Sequence, residues 1–360
     1  MANTCILDIG ANNGEFLIPL ATRLPSMAFI GVEPIPELFD LLEAKRVELS
    51  LAHVQLERVA IDEAPRRARF NVARHADLGV SSLLDFDTTS LQKNEYWQGR
   101  NDLYFDEEIE VNVVRLDYLI EQAGFDHVSF IKIDAQGVDL KVLASLGKYL
   151  PSVDGGMLEV STTRNSVLYH DEPLLHDVLN FLNTHGFEPY AIKPNDPACA
   201  EVNVFFNRKG SNWEAMEQRL QLRGLALYDG RHYWHIPSPT PALPAEAFGP
   251  VAHNEVARAR HLQIDNVAAW ARVVYWKEQA ARSGKENVAL TSQLAAQKSA
   301  LAAPRIAPRP PAQDPAPLVA ELVLSREKQQ SMQAEIDALR ASTSWRITAP
   351  VRALKNLFLR

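Results

Sequence analysis

The chain has 360 residues, of which 46% are apolar and 23% are charged, the usage of an ordinary globular protein. This composition excludes global disorder and a collagen-like repeat, and the presence of two cysteines excludes a disulfide scaffold. The length predicts two domains, or one large domain with an appendage. Because the sequence has neither a run of 18 apolar residues nor a basic N-terminal segment, it predicts no spanning helix and no signal peptide.

Charge is unevenly distributed along the chain. Residues 1–250 hold 21 Lys/Arg against 36 Asp/Glu, a net charge of −15, whereas residues 251–360 hold 16 against 9, a net charge of +7. Phosphate binding needs positive surface, so the acidic first part argues against a nucleic-acid enzyme. The basic second part suits an anionic lipid surface or an acidic partner.

Short apolar segments alternate with helix-period segments between residues 4 and 207. The predicted buried strands are TCILDI, AFIGVE, VQLERVAI, VSFIKI and GGMLEV. The predicted helices between them are PIPELFDLLEAKRVEL, LDYLIEQAG, VDLKVLASLGKYL and EPLLHDVLNFLNTHG. This alternation is typical of an α/β fold with a parallel sheet covered on both faces. FEPYAIK and EVNVFFN follow with a loop too short for a helical crossover, so we expect them to pair antiparallel at one sheet edge.

Five segments of different composition follow one another along the chain. We predict a sheet domain over residues 1–210, then a flap and Pro-rich linker over residues 211–250. Residues 251–303 are expected to be helical, and residues 304–317 form a second Pro-rich linker. Residues 318–360 predict a helical, basic amphipathic tail, so the sheet domain is followed by a mostly α-helical extension.

The strongest local motif is ILDIGANNGEF, where the first predicted strand runs into a glycine turn and then a helix. Gly10 and Gly14 let the backbone approach a ligand, and the helix start offers free amide groups, so the motif indicates a nucleotide-like cofactor. Asn12 stands where a dinucleotide fingerprint needs its second glycine, which disfavours NAD. Asp8 suits a cofactor that carries an ammonium group better than one that carries a diphosphate.

The ends of the next two predicted strands supply further parts of an adenosyl site. Glu33 is placed to accept hydrogen bonds from both hydroxyls of a ribose. Asp62 follows Ala60 and Ile61, an apolar pair beside a carboxylate that suits an adenine ring and its amino group. Taken singly, Glu33 fits a solvated strand end and Asp62 fits a turn cap. Their order along successive strand ends favours one cofactor site.

These motifs, together with FIKIDAQGVDLKVL at residues 130–143, resemble the FkbM family of S-adenosylmethionine-dependent O-methyltransferases over about residues 4–207. The resemblance implies a class I, Rossmann-like, seven-stranded methyltransferase fold and methyl transfer to a hydroxyl, often on a sugar. Gln136 and Asp139 depart from the family pattern IKIDVEGxExxVL, in which both positions are Glu. The residues that the resemblance assigns to S-adenosylmethionine binding are Asp8, Gly10, Asn12, Gly14, Glu33 and Asp62.

Methyl transfer to a neutral hydroxyl needs a base nearby. Asp134 is the leading candidate because it follows the fourth strand, at the sheet edge where such folds place their reacting groups. Lys132 shares its strand face and is suited to pair with Asp134 or to stabilise a developing alkoxide. The alternative is that this pair only shapes the turn. Glu159, at the end of the fifth strand, is a second candidate, and Ser161 takes the place of a His that the family often carries.

The segment over residues 85–107 is a polar insertion with four aromatic residues: Tyr96, Trp97, Tyr104 and Phe105. Their rings either stack on the CH face of a sugar or anchor the loop to the core. The ten histidines show no HExxH and no Cys/His pattern, so we predict no metal site.

Two hypotheses of different class follow. The first is a cytoplasmic O-methyltransferase that acts on a glycan or glycolipid acceptor, a precursor of bacterial surface polysaccharide. The second is a weakly active or inactive methyltransferase-like scaffold that docks polysaccharide enzymes through its tail. STSWRITAPVRAL, at residues 342–354, resembles terminal segments of glycosyltransferases and methyltransferases from bacterial surface-polysaccharide clusters. We therefore expect the basic tail to meet glycosyltransferases or the anionic inner face of the membrane, and we expect no nucleic-acid partner.

Overall fold

The computed structural model describes residues 3–196, 199–229 and 245–249, with isolated positions further on. The chain divides into two compact units, Met1–Ile264 and Asp265–Arg360. All elements given below lie in the first unit. Most of the predicted C-terminal extension lies outside the described residues, apart from the isolated positions. This concerns the predicted helices over residues 251–303 and 318–360, the linker between them and most of the first linker.

Ten strands are described, numbered here in chain order. They are β1 (Thr4–Ile9), β2 (Ala28–Val32), β3 (Val54–Glu57), β4 (Ala60–Ile61), β5 (Arg66–Val72), β6 (Glu107–Val114), β7 (His127–Ile133), β8 (Gly155–Ser161), β9 (Phe187–Pro194) and β10 (Glu201–Arg208). Seven of them form one sheet in the order β3-β2-β1-β7-β8-β10-β9, and three form a second sheet in the order β4-β6-β5.

The large sheet confirms the predicted seven-stranded methyltransferase architecture. β3, β2, β1, β7 and β8 run parallel to one another. β10 pairs antiparallel with both β8 and β9. The predicted antiparallel pair at one edge is therefore correct. The chain leaves β1 towards β2 on one side and later returns to β7 on the other, so a crevice opens at the carboxyl ends of β1 and β7, where such sheets bind ligands.

Helices lie on both faces of this sheet, which explains the continuous apolar sequence of its central strands. The helices are α1 (Leu17–Arg23), α2 (Pro36–Glu48), α3 (Thr88–Lys93), α4 (Glu95–Gln98), α5 (Leu116–Ala123), α6 (Asp139–Ala144), α7 (Leu175–Thr184), α8 (Trp213–Arg219) and α9 (Ala226–Asp229). In β1, Leu7 joins the apolar cluster that α5 to α7 cover, whereas Ile6 joins the cluster that α1 and α8 cover. Short 3-10 turns occupy Leu78–Val80, Gly147–Ser152 and Ala245–Phe248.

Two expectations about single elements were wrong. VQLERVAI is not one strand. Its first part, β3, pairs with β2, and the last pair between them is Val32 with Glu57 because β2 ends at Val32. The chain then leaves the large sheet, and β4 pairs with β6 in the small one. VDLKVLASLGKYL is not one helix, since α6 ends at Ala144 and Gly147, with φ +49°, begins a 3-10 turn.

The hairpin of β5 and β6 was not predicted, although EEIEVNVV alternates polar and apolar residues. The insertion between the two strands is also more ordered than its polar composition suggests. The side chain of Asp87 accepts a hydrogen bond from the backbone at the start of α3, and that of Asn94 accepts two at the start of α4. Both are N-caps of the usual kind.

Replacing a buried leucine of α7 tests how much the helical layer stabilises the sheet. Leu179→Ala, at a side chain that is 1% exposed, should lower the free energy of unfolding by about 2 to 5 kcal/mol through lost burial and a residual cavity. Leu41→Ala in α2, at a side chain that is 42% exposed, is the matched control and should change it by about 0.5 kcal/mol. Urea denaturation of the two variants measures both, and equal effects would contradict the layer arrangement.

Candidate active site

The glycine turn after β1 is shaped by protein neighbours. Gly10 has φ +73°, and a Cβ there would overlap the backbone carbonyl oxygen of Asp134. Gly14 has φ +85°, and a Cβ there would lie 2.7 Å from side-chain atoms of both Ile18 and Leu42. Glycine is therefore required at both positions by packing, and the turn is pressed against the end of β7.

An apolar cavity of about 640 Å³ opens beside this turn. Glu33 lies in its wall, 4% exposed, and its two carboxylate oxygens accept hydrogen bonds from the backbone N–H groups of Asn12 and Ile35, each at 2.9 Å. Burial raises the pKa of Glu33 to about 7. The apolar side chains that line the cavity are those of Ile9, Val32, Ile35, Leu38, Val59, Ala60, Ile61, Phe70, Leu78, Leu83 and Val138.

Three of the six residues predicted to bind cofactor line this cavity: Gly10, Asn12 and Glu33. Gly14 faces the packing between α1 and α2, and Asp8 is fully buried beneath the turn. Asp62 is not among the residues that line the cavity, and its carboxylate accepts hydrogen bonds from Arg66 and from the backbone of Glu63, each at 2.7 Å.

The physical reason for the position of Asp62 is the break after β3. Ala60 and Ile61 reach the cavity wall as a short strand of the small sheet, and the chain turns away directly after them. The expected apolar wall is therefore present without the expected carboxylate.

A polar cavity of about 1120 Å³ adjoins the apolar one. We call it the polar chamber. The residues common to both cavities are Gly10, Asn12, Gly79, Asp134 and Gln136. The acidic residues that line the polar chamber are Glu15, Asp77, Asp134, Glu159, Asp196 and Glu201. All three residues predicted to act in catalysis, namely Lys132, Asp134 and Glu159, also line it, so the structure brings them together.

Lys132 joins the ends of β1 and β7. Its Nζ donates a hydrogen bond to the carbonyl oxygen of Gly10 at 2.6 Å and lies 3.2 Å from Asp8 Oδ1 and 3.5 Å from Asp134 Oδ2. Burial acts to lower the pKa of Lys132, but the negative charges of Asp8 and Asp134 outweigh it and the pKa is raised. The ammonium group therefore stays charged and serves to hold the two strand ends and Asp134.

Asp134 and Glu159 are linked through the amide of Gln136. The Nε2 of Gln136 donates to Asp134 Oδ1 at 2.7 Å and to Glu159 Oε2 at 2.8 Å. The other oxygen of Glu159 accepts from the side chain of Asn195. Burial, followed by the charges of Glu201 and Asp134, raises the pKa of Glu159 well above its usual value. Asp134 is the more accessible carboxylate, with a side chain 34% exposed.

The aromatic residues of the insertion have different surroundings. Trp97 is buried, and its indole N–H donates to the carbonyl oxygen of Ser166 at 3.0 Å. Phe105 stacks on Phe86 with ring centroids 4.0 Å apart. Trp97 and Phe105 therefore anchor the insertion. Tyr104 donates to the carbonyl oxygen of His75, at a distance from either cavity lining. Tyr96 and Trp97 are the rings of the insertion that line the polar chamber.

Comparison with known proteins identifies the family. A family model described as the methyltransferase FkbM domain matches residues 8–189, half of the chain. The chain belongs to the FkbM methyltransferase family. It is 26% identical over 216 residues to the 31-O-demethyl-FK506 methyltransferase FkbM of Streptomyces tacrolimicus, a match that covers 55% of this chain and 77% of that protein.

Other relatives match over smaller shares of their own length. The AMB antimetabolite synthetase AmbE of Pseudomonas aeruginosa is 26% identical over 61% of this chain, which spans 11% of that protein. A tRNA (guanine-N(7)-)-methyltransferase of Prochlorococcus marinus is 43% identical over 16% of this chain and 28% of its own length. Among solved structures, the magnesium protoporphyrin IX methyltransferase of Synechocystis, with bound SAM, aligns with TM-score 0.30 and 12% identity over 57% of this chain and 69% of that one.

As an FkbM family member the chain carries a methyltransferase domain, for which the sequence predicts S-adenosylmethionine as the methyl donor. The residues present fit this cofactor. The apolar cavity offers flat apolar walls for an adenine, and Glu33 is buried in the same wall with its oxygens fixed by backbone N–H groups, as a ribose acceptor requires. The adjoining chamber carries the carboxylates that would surround the cationic end.

Several residues of the polar chamber were missed by sequence reasoning, and three of them lie between the end of β9 and the start of β10: Asn195, Asp196 and Glu201. The signal was available, because β10 is antiparallel to β8 and starts where β8 ends, with Glu201 opposite Ser161. The loop between β9 and β10 must therefore reach the same sheet edge as Asp134. Among the described residues, no group of three or more His, Cys, Asp or Glu side chains could hold a metal ion.

The raised pKa of Glu33 predicts a pH-dependent cofactor affinity. Ribose hydroxyls donate to the ionised carboxylate, so a protonated Glu33 must lose its proton before it binds them. With a pKa of about 7, the affinity for S-adenosylhomocysteine should rise by about tenfold between pH 6 and pH 8. Glu33→Gln should flatten this profile and weaken binding by about 1 to 3 kcal/mol.

Isothermal calorimetry measures both effects. Glu57→Gln, at the end of the neighbouring strand and outside the cavity lining, is the matched control and should keep the wild-type profile. Wild-type affinity and an unchanged profile in Glu33→Gln would remove Glu33 from the site.

Proposed function

We propose that this chain transfers a methyl group to a hydroxyl of a glycan or glycolipid acceptor, a precursor of bacterial surface polysaccharide. The observation that carries the proposal is the junction of the two cavities, where Asp134 lines both. Gln136 occupies Asp134 Oδ1, whereas Asp134 Oδ2 accepts no hydrogen bond from the described residues and lies in the ion pair with Lys132. This oxygen is the candidate base.

The chemistry divides between cofactor and chain. S-adenosylmethionine, when bound, supplies a methyl group on a positively charged sulfur. Asp134 accepts the proton of the attacking hydroxyl at Oδ2, which makes the acceptor oxygen more nucleophilic. Lys132, held by Asp8 and Gly10, stays charged beside this carboxylate. The insertion, which Trp97 anchors, excludes water from the site.

The lining of the polar chamber supports a hydroxyl-rich acceptor. Carboxylates and amides such as those of Asn13 and Asn195 offer many hydrogen-bond acceptors, and Tyr96 and Trp97 add two aromatic rings to them. The Streptomyces tacrolimicus relative is named for methylating 31-O-demethyl-FK506, and that name supports oxygen as the methylated atom. The amide of Gln136 donates hydrogen bonds to both Asp134 and Glu159 and leaves both carboxylates in the site. This favours an active enzyme over an inactive scaffold.

We propose further that the basic tail places the enzyme at the inner face of the membrane or beside glycosyltransferases. The support is the sequence from residue 338 onward, which has five Lys/Arg and no acid. In the part of the chain that the structure describes, no helix has the length and apolar character needed to span a bilayer.

Asp134→Asn tests the base directly. The variant keeps the side-chain shape but loses the basic oxygen, so turnover should fall by about 10²-fold while S-adenosylhomocysteine binding survives. Methyl transfer from tritiated S-adenosylmethionine to a panel of methyl glycosides measures it. Asp126→Asn is the matched control and should keep full activity, because Asp126 is exposed and directly precedes the first residue of β7, at the end of the strand away from Asp134. Full activity in Asp134→Asn would assign the base elsewhere.

Truncation tests the separate role of the tail. A chain that ends at residue 264 keeps every residue that lines the two cavities, and it keeps Ala257, which is buried in the core. It should bind S-adenosylhomocysteine as the full chain does and should no longer sediment with vesicles that contain anionic lipid. Cosedimentation assays at low salt measure the second effect. Lost cofactor binding, or retained sedimentation, would contradict the proposed role of the tail.

A further inference from the structure

The turn after β7 fixes Gln136 in one backbone conformation. Gln136 has φ +50° and Gly137 has φ +90°, both in the left-handed region. The hydroxyl of Ser82 donates to the carbonyl oxygen of Gln136 at 2.6 Å. A Cβ at Gly137 would lie 2.8 Å from the ring of Tyr169, so the turn is packed against that ring. A left-handed non-glycine residue persists where its surroundings over-determine it, and such positions cluster at active sites.

The side chain of Gln136 uses its hydrogen-bonding capacity within this network. A primary amide has two N–H groups, and here they face Asp134 Oδ1 and Glu159 Oε2. The Oε1 atom of Gln136 lies 2.7 Å from the hydroxyl of Tyr169. An uncharged amide donates to two carboxylates without adding charge, whereas a carboxylate at this position has no N–H to donate.

We propose that Gln136 is a positioning residue, whose amide holds Asp134 and Glu159 side by side and limits how tightly the two carboxylates retain a proton. The inference rests on the proposed function, in which Asp134 accepts a proton at Oδ2. Because Gln136 occupies Oδ1, the other oxygen of Asp134 is left for the acceptor. The departure from the Glu of the family pattern then has a physical meaning, since it keeps a third carboxylate out of this cluster.

Titratable groups from every neighbouring element face this pair. They are Asp8 from β1, Lys132 from β7, Asp139 from the start of α6, Glu201 from β10, and Tyr169, Glu172 and Asp196 from loops. Lys132 is the one cation in this set, and Arg100 is the second cation that lines the polar chamber. Six carboxylates line the same chamber, so the surroundings are acidic. A further negative charge here raises the proton affinity of its neighbours, and loss of an N–H donor does the same to a smaller extent.

The test is a ¹³C NMR pH titration of the Glu159 carboxyl in the full chain, assigned by its absence from the Glu159→Gln spectrum. This experiment needs no acceptor. Gln136→Glu should raise the titration midpoint by about one pH unit or more, a tenfold rise in proton affinity. Gln136→Met loses the donors without adding a charge and should raise it by less. Gln55→Glu, the same chemical change at an exposed position of β3, should leave it unchanged.

Any other order of midpoints overturns the proposal, including equal midpoints in wild type and Gln136→Glu or equal midpoints in the two Gln136 variants. If Gln136→Glu does not fold, Tyr169→Phe removes the hydroxyl that contacts Gln136 Oε1 and the carbonyl oxygen of Val80. This variant should raise the midpoint, and no rise overturns the proposal. Calorimetry of wild type with S-adenosylhomocysteine separates the two inferences. Failure to bind overturns the proposed function alone, and normal binding with unchanged midpoints overturns the role of Gln136 alone.

Discussion

The ammonium group of Lys132 holds together the part of the molecule on which its chemistry depends. It is buried at the point where β1 and β7 end side by side, in contact with Gly10, Asp8 and Asp134. A buried charge without partners is costly, and removing one partner of such a pair typically destabilises a protein by about 3 to 5 kcal/mol. The glycine turn, the buried Asp8 beneath it and the half-buried Asp134 beside it are therefore parts of one arrangement.

This arrangement sets the shape of the site. Gly10 must lack a side chain because the carbonyl oxygen of Asp134 lies against it, and that close approach places Asp134 where the apolar cavity meets the polar chamber. Glu33 is fixed on the other side of the turn by the backbone N–H of Asn12. A cofactor bound along this line meets the carboxylate of Glu33 at one end and that of Asp134 at the other.

Sequence reasoning succeeded where the signal is local and repeated. The apolar strands predicted the seven-stranded sheet. The strand ends predicted Glu33 and Asp134 as site residues, and the structure brings both to one cavity because parallel strands bring their carboxyl ends to one edge. It failed where pairing partners are distant. Nothing local marks the break after Glu57, which depends on where β2 ends. Nor does the sequence show that the carboxylate of Asp62 pairs with Arg66. The bridging amide of Gln136 was seen only as a departure from a pattern, since its meaning depends on Glu159, which is 23 residues away.

A crystal structure of the full chain with S-adenosylhomocysteine tests the account most directly. The account predicts the adenine in the apolar cavity, the ribose hydroxyls within hydrogen-bond distance of Glu33, and the sulfur facing the polar chamber beside Asp134. A ligand whose sulfur is turned away from Asp134, or one bound outside the two cavities, would contradict it.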